Sequence, residues 1–160
     1  MRIKGLTDED FVNYKLPSMF ISTNTCTFKC DKDAGSSVCQ NGELAKILGI
    51  NITNDELIRR YTHNPITKAI VFGGLEPFDQ FSELFEFIKV LRLKYKCDDT
   101  VVIYTGYNED EITVMTAILA YRFKNIIVKF GRFIPDSLPN YDELLGVKLA
   151  SDNQYAKQIS

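Results

Sequence analysis

Four short β-prone runs, separated by segments with helical periodicity, constrain the fold of this chain more than any other feature. They are Met19-Phe20-Ile21-Ser22, Thr67 to Phe72, Thr100 to Tyr104 and Asn125 to Phe130. Each ends on a polar or glycine turn: Thr23-Asn24-Thr25, Gly73-Gly74, Thr105-Gly106-Tyr107 and Gly131. Parallel neighbours in a sheet need a crossover of a dozen or more residues, usually a helix, and the intervals here supply one each time. Thr53, with Asp55 and Glu56 in the following turn, caps a helix through Tyr61. Phe81, Leu84, Phe85, Ile88 and Leu91 recur at helical spacing between Phe78 and Tyr95. Asn108 caps a helix from Glu109 to about Tyr121, with Glu109, Asp110 and Glu111 in the first turn, where the helix dipole favours acids. Strand, helix, strand, helix, strand in that order predicts parallel βα units. The tail after Gly131 is loop-rich, with Pro135 and Pro139, and short strands are expected near Val147 to Leu149 and Tyr155 to Ile159. A length of 160 residues, 45% of them hydrophobic, suits one core and a single domain over residues 1–160.

Right-handed crossovers put the loops that follow parallel strands at one end of the sheet, the carboxyl end, where ligands bind. Here that end collects Cys26, Cys30 and Cys39, then Gly73-Gly74-Leu75-Glu76, Thr105-Gly106-Tyr107 and Gly131-Arg132. The stretch from Cys26 to Cys39 reads as a loop rich in Asp, Lys, Gly and Ser, with a helical turn over Leu44 to Leu48 before Gly49. Cys97 and His63 each lie just before a strand, so the same topology sends them toward the opposite end. Neither MRIKGLTDEDF at the start nor any later apolar stretch looks like a secretory signal or approaches the roughly 20 residues that span a bilayer. A cytoplasmic protein without membrane association is therefore expected. A net charge of -2, with both signs interspersed, leaves no basic stripe for phosphates, and nucleic acid is not an expected partner.

Three cysteines within fourteen residues of a chain from a reducing compartment read as metal ligands rather than disulfide halves. A 4Fe-4S cluster normally takes four cysteine ligands, so three leave one iron open and reactive. The alternative is a zinc site with Cys97 or His63 as fourth ligand, since C-x3-C is near zinc-ligand spacing. Placement of both candidates at the wrong end of the sheet favours the cluster.

Cys26-Thr27-Phe28-Lys29-Cys30, Cys39-Gln40-Asn41 and Gly73-Gly74-Leu75-Glu76-Pro77 together resemble the radical S-adenosylmethionine (SAM) superfamily, most of whose members carry C-x3-C-x2-C and then a GGE-P type motif. Phe72 to Arg92, Val101 to Tyr107, Gly131 to Asp136 and Ser151-Asp152-Asn153-Gln154 further resemble the small activating proteins of anaerobic ribonucleoside-triphosphate reductase. The resemblance implies an α/β fold of radical SAM type, a partial (incomplete) βα barrel of parallel strands. It implies that Cys26, Cys30 and Cys39 hold a 4Fe-4S cluster whose open iron is chelated by the amino and carboxylate groups of SAM. Gly73, Gly74 and Glu76 then hold the SAM amino end, Thr105, Gly106 and Tyr107 line its pocket, and Asn41 and Asn153 match further family positions. An electron from a flavodoxin- or ferredoxin-type donor would cleave SAM to methionine and a 5′-deoxyadenosyl radical. In the activating enzymes that radical takes hydrogen from a backbone glycine of a large glycyl-radical enzyme, here an anaerobic ribonucleotide reductase. So short a chain leaves little room to enclose a small substrate, and an open face that docks a protein is expected. A radical SAM enzyme acting on a small molecule, of the deazapurine-synthesis type, and a non-catalytic zinc-binding interaction module are the alternatives.

Three departures from the family pattern stand out. The spacing is C-x3-C-x8-C, six residues longer than usual between the second and third cysteines, which adds two doublings of loop length, or about 1.2 kcal/mol of closure entropy. Val38 occupies the place before the third cysteine where an aromatic residue is common, and Leu75 is an extra residue inside the glycine motif. Read without the resemblance, Glu76 is a solvated carboxylate ahead of a helix, Tyr107 a half-buried aromatic, Arg132 a surface charge and Cys97 a bystander thiol.

Overall fold

The fold, taken from a computed structural model that describes residues 1–160, is α/β. Two strands, β1 (Arg2–Asp10) and β2 (Ser18–Thr23), lead into two short helices, α1 (Lys29–Ala34) and α2 (Gly42–Lys46), then β3 (Ile50–Asn51) and α3 (Asn54–His63). The alternating series β4 (Ala69–Gly74), α4 (Phe81–Leu93), β5 (Thr100–Tyr104), α5 (Thr113–Arg122) and β6 (Ile126–Phe130) follows. The tail adds a hairpin of β7 (Asn140–Asp142) and β8 (Val147–Leu149), and a last strand, β9 (Tyr155–Gln158).

The main sheet has the order β3-β1-β2-β4-β5-β6-β9. Its centre, β2, β4, β5 and β6, is parallel, with Ile21 paired to Phe72, Phe72 to Ile103 and Ile103 to Val128. β1 and β9 flank it in antiparallel pairs, and β3 and β9 form the ends of an open sheet. Because the central strands run in sequence order, each right-handed crossover falls on the same side. The long helices consequently share one face. Met19, Ile21, Ile70, Phe72, Val101, Ile103, Ile126 and Val128 pack there against Leu57, Ile58 and Tyr61 of α3, Leu84, Phe87, Ile88 and Leu91 of α4, and Leu119 of α5. Phe72 meets Phe87 edge-on, ring centroids 5.1 Å apart. On the other face, Ala69, Val71, Val102 and Ile127 pack against Tyr14, Leu145 and Leu149, from the segment after β1 and from the β7–β8 region. Lys15 N donates to Leu145 O (2.7 Å) where these two coverings meet.

Local chemistry sets the element ends. Thr53 Oγ1 accepts from Glu56 N (3.1 Å), and Glu111 Oε2 reaches back to accept from Asn108 N (2.8 Å). Both later helices open with a tighter 3-10 turn, Pro77–Gln80 and Glu109–Ile112, so α4 begins at Phe81 rather than Phe78. The cysteine segment is not all loop, since Lys29–Ala34 is helical and carries Cys30. α2 starts at Gly42, two residues before the expected Leu44. β1, the nine-residue strand absent from the sequence expectations, offers only Ile3 and Leu6 as aliphatic residues. No helix is long and apolar enough to cross a membrane.

Candidate functional site

A cleft of about 600 Å³ opens at the carboxyl end of the parallel strands. Cys26, Cys30, Cys39 and Asn41 line one side of its mouth, Gly73, Gly74, Leu75 and Glu76 come from the loop after β4, and Thr105, Gly106, Gly131 and Arg132 from the loops after β5 and β6. Of the residues that the resemblance singles out, Tyr107 and Asn153 do not line the cleft. The Tyr107 hydroxyl donates to Asp79 Oδ1 (2.6 Å) beside the cysteine segment. Cys97 and His63 sit before β5 and β4, at the other end of the parallel strands, and His63 Nδ1 lies 2.7 Å from Arg59 O.

The start of the segment bearing the cysteines is pinned by residues 76–80, which follow β4. Asp79 Oδ2 accepts from Thr27 N (2.6 Å), Gln80 Oε1 accepts from Asn24 N (2.6 Å), and Glu76 N donates to Thr25 O (2.8 Å). Phe28, at φ 53° in the left-handed region, turns the chain into α1, and its N–H points to Cys26 Sγ at 3.2 Å. Lys29 and Arg132 both pair with Glu111, the latter at 2.6 Å, while Arg132 Nε lies 2.9 Å from Asp33 Oδ2 without the alignment of a hydrogen bond. These charges hold Glu111 down at about pKa 2, with the Arg132 hydrogen bonds as the main cause. Asp31 Oδ1 accepts from both Val38 N and Cys39 N at 2.8 Å.

Burial pushes the Cys26 thiol up to about 12, and burial together with the neighbouring Cys39 pushes Cys30 up to about 11. A nucleophilic cysteine needs the opposite environment, one that lowers its pKa. These thiols become thiolates when a cation supplies the missing charge, as a metal centre does. No three His, Cys, Asp or Glu side chains converge on one point where a single ion would sit. The chain's one histidine and fourth cysteine lie at the far end of the sheet. A three-thiol donor set facing a cleft fits an iron-sulfur cluster with one open iron better than a four-ligand zinc site.

The glycine loop is built for close approach. Gly74 has φ +77°, and a Cβ there would lie 2.9 Å from Ser22 Cβ and from Leu44 Cδ2. Glu76 is only 7% exposed and not the solvated carboxylate of the resemblance-free reading. Its Oε1 accepts from Thr105 Oγ1 (2.7 Å) and Phe78 N (3.1 Å), and its Oε2 from Gly106 N (2.8 Å). Burial nevertheless raises its pKa to about 7. Glu76, Thr105 and Gly106 thus form one hydrogen-bonded unit across two loops. Arg132, 9% exposed, is likewise no surface charge.

Sequence reasoning passed over Lys129, which is 6% exposed and faces the cleft from β6. Its Nζ donates to Gly131 O (2.9 Å) and sits 6.0 Å from the centroid of the Tyr104 ring, and burial lowers its pKa to about 8. The signal was a lysine inside the otherwise apolar run Ile126-Ile127-Val128-Lys129-Phe130. Beyond β6, Asn153 Nδ2 donates to Arg132 O (2.9 Å) and Gln154 Nε2 to Gly131 O (3.2 Å), which fixes the last loop of the cleft.

The sequence profile of a family described as "4Fe-4S single cluster domain" matches residues 18–150. Searches of curated proteins and of solved structures give no significant match.

Proposed function

The chain belongs to the 4Fe-4S single cluster domain family, and from that premise we propose that it is a radical SAM activating enzyme working on a glycyl-radical protein of the anaerobic ribonucleotide reductase type. The observation that carries this reading is the shared cleft. Three thiols without a local fourth ligand face the same space as a glycine loop and the Glu76-Thr105-Gly106 unit. Helices on one face of an open, sequentially ordered sheet are also what a partial βα barrel requires.

Cys26, Cys30 and Cys39 are the residues that would hold the cluster. Gly73 and Gly74 line the cleft without side chains and would let the amino end of SAM approach the backbone. A carboxylate offers about four acceptor positions, and Glu76 spends three on Thr105, Phe78 and Gly106. One remains for an ammonium. Lys129 has donors left beyond the one given to Gly131, and it can meet the SAM carboxylate in a cleft of the volume usual for small-molecule sites. When bound and given an electron by a flavodoxin- or ferredoxin-type donor, the cluster supplies the reductive cleavage of SAM to methionine and a 5′-deoxyadenosyl radical. On the sheet face that carries no long helix the cleft is bordered by Val12, Asn13 and residues 147–150, and a loop of a protein partner would enter past them.

Anaerobic reconstitution with ferrous iron and sulfide should give a brown protein with about four of each per chain. With SAM and dithionite it should form 5′-deoxyadenosine, and a glycyl-radical signal should appear only when an anaerobic reductase is added. Deoxyadenosine without transfer to any such protein would favour a small-molecule substrate. A colourless protein holding one zinc would end the radical SAM reading.

A further inference from the structure

Eight residues separate Cys30 from Cys39, and the structure contains a specific device for closing that interval. α1 carries Cys30 and Asp31 side by side and is itself held by the Lys29–Glu111 and Asp33–Arg132 pairs. Gly35, at φ 66°, ends the helix, and Lys32 to Ser37 project into solvent. The chain then returns, and one oxygen, Asp31 Oδ1, accepts from the backbone of Val38 and of Cys39 at 2.8 Å each. The same oxygen is 3.9 Å from Cys30 Sγ. A single carboxylate is thereby the common neighbour of the Cys30 side chain and the Cys39 backbone.

We propose that Asp31 is a positioning residue which brings Cys39 beside Cys30 through the chain's own hydrogen bonds, so that the long interval presents its two thiols as the short family spacing does, before any iron arrives. Two hydrogen bonds accepted by one oxygen offset the slowly growing entropy of a longer loop. Lys32 to Ser37 then form an exposed excursion that does not loosen the site. The part of this inference that concerns the cluster rests on the iron-sulfur reading, while the part that concerns thiol proximity does not.

The test compares wild type with Asp31→Ala, which removes the acceptor, Asp31→Asn, which keeps Oδ1 as an uncharged acceptor, and Asp31→Glu, which moves the oxygen one methylene further. In metal-free protein, diamide takes one hydrogen from each of two nearby thiols and is reduced to the hydrazine as the disulfide forms, and mass spectrometry reads the rate of the Cys30–Cys39 product. Wild type and Asp31→Asn should react at similar rates, Asp31→Ala at least tenfold more slowly, and Asp31→Glu in between. Iron and sulfide per chain after anaerobic reconstitution should follow the same order, with the far-UV circular dichroism of all four unchanged. If Asp31→Ala forms the disulfide at the wild-type rate and loads iron fully, Asp31 is not the positioning residue, and the cluster reading stands. If wild type loads no iron while the disulfide order holds, the positioning stands and the cluster reading fails.

Discussion

Glu76 gathers three donors onto one buried carboxylate, and its pH behaviour follows from that burial. Its folded pKa of about 7 lies above the ordinary glutamate value. Between those values the folded state binds more proton than the unfolded chain, so this group's contribution is greatest below the unfolded pKa and is lost as pH rises through about 7. Urea unfolding of wild type and Glu76→Gln should diverge over roughly pH 4.5 to 7, with a total effect on the order of 3 kcal/mol from the size of the shift. Parallel curves for the two proteins would show that Glu76 titrates normally. Glu111 runs the other way, because its pKa is depressed to about 2 by Arg132, and the stability it gives is lost as pH falls toward 2. Lys129 tests ligand chemistry at the same scale. Lys129→Met should load iron as wild type does yet bind SAM at least tenfold more weakly, with little change for decarboxylated SAM, as measured by calorimetry. The cysteines and glycines were legible in the sequence because ligand spacing and strand-ending turns are local patterns. Asp31 and Asp79 were not, since an acidic residue in a polar loop gains meaning only when the fold brings Cys39 or Tyr107 to it.

Among the elements, the parallel strands were readable because strands buried on both faces are written as continuous apolar runs. β1 was not. It pairs with β2 on one side and only briefly with β3 on the other, so its sequence stays largely polar while Ile3 reaches the core. The 3-10 openings of the two later helices were blurred for another reason: Pro77 and the Asn108 cap mark where a helix starts, not how tightly its first turn winds. The turn at the end of β4 is stricter. Gly74→Ala combines a left-handed backbone with a Cβ 2.9 Å from Ser22 Cβ, and should cost about 1–3 kcal/mol in urea unfolding as well as displacing Glu76 from its donors. Gly42→Ala, at the start of α2 with no atom within 4 Å of the new Cβ, should be neutral or stabilising by up to about 1 kcal/mol. Equal effects at the two positions would mean that the Gly74 turn is not needed.

For the whole molecule, the division between scaffold and site determines what losing the cluster does. Neither hydrophobic core includes a residue from 24–49, the stretch that carries all three candidate ligands. Such a stretch opens locally at far lower free energy than the sheet beneath it. A small zinc domain, by contrast, draws its folding energy from its metal and unfolds without it. The metal-free chain should therefore keep its far-UV circular dichroism and a cooperative urea transition with an unchanged m-value, because the surface exposed on unfolding is set by the two cores. Cluster binding should add stability through linkage and raise the midpoint, and it should do so more readily as pH rises, because the Cys26 and Cys30 thiols must release their protons to the solvent. Hydrogen exchange would separate the two contributions. On removal of iron, protection should fall across residues 24–49 and in the loops after β4 and β5 that hold them, while β4, β5, β6 and α4 keep theirs. Loss of protection throughout the sheet would instead make the cluster part of the folding core, and the cysteine segment would no longer be a module seated on a scaffold that folds without it.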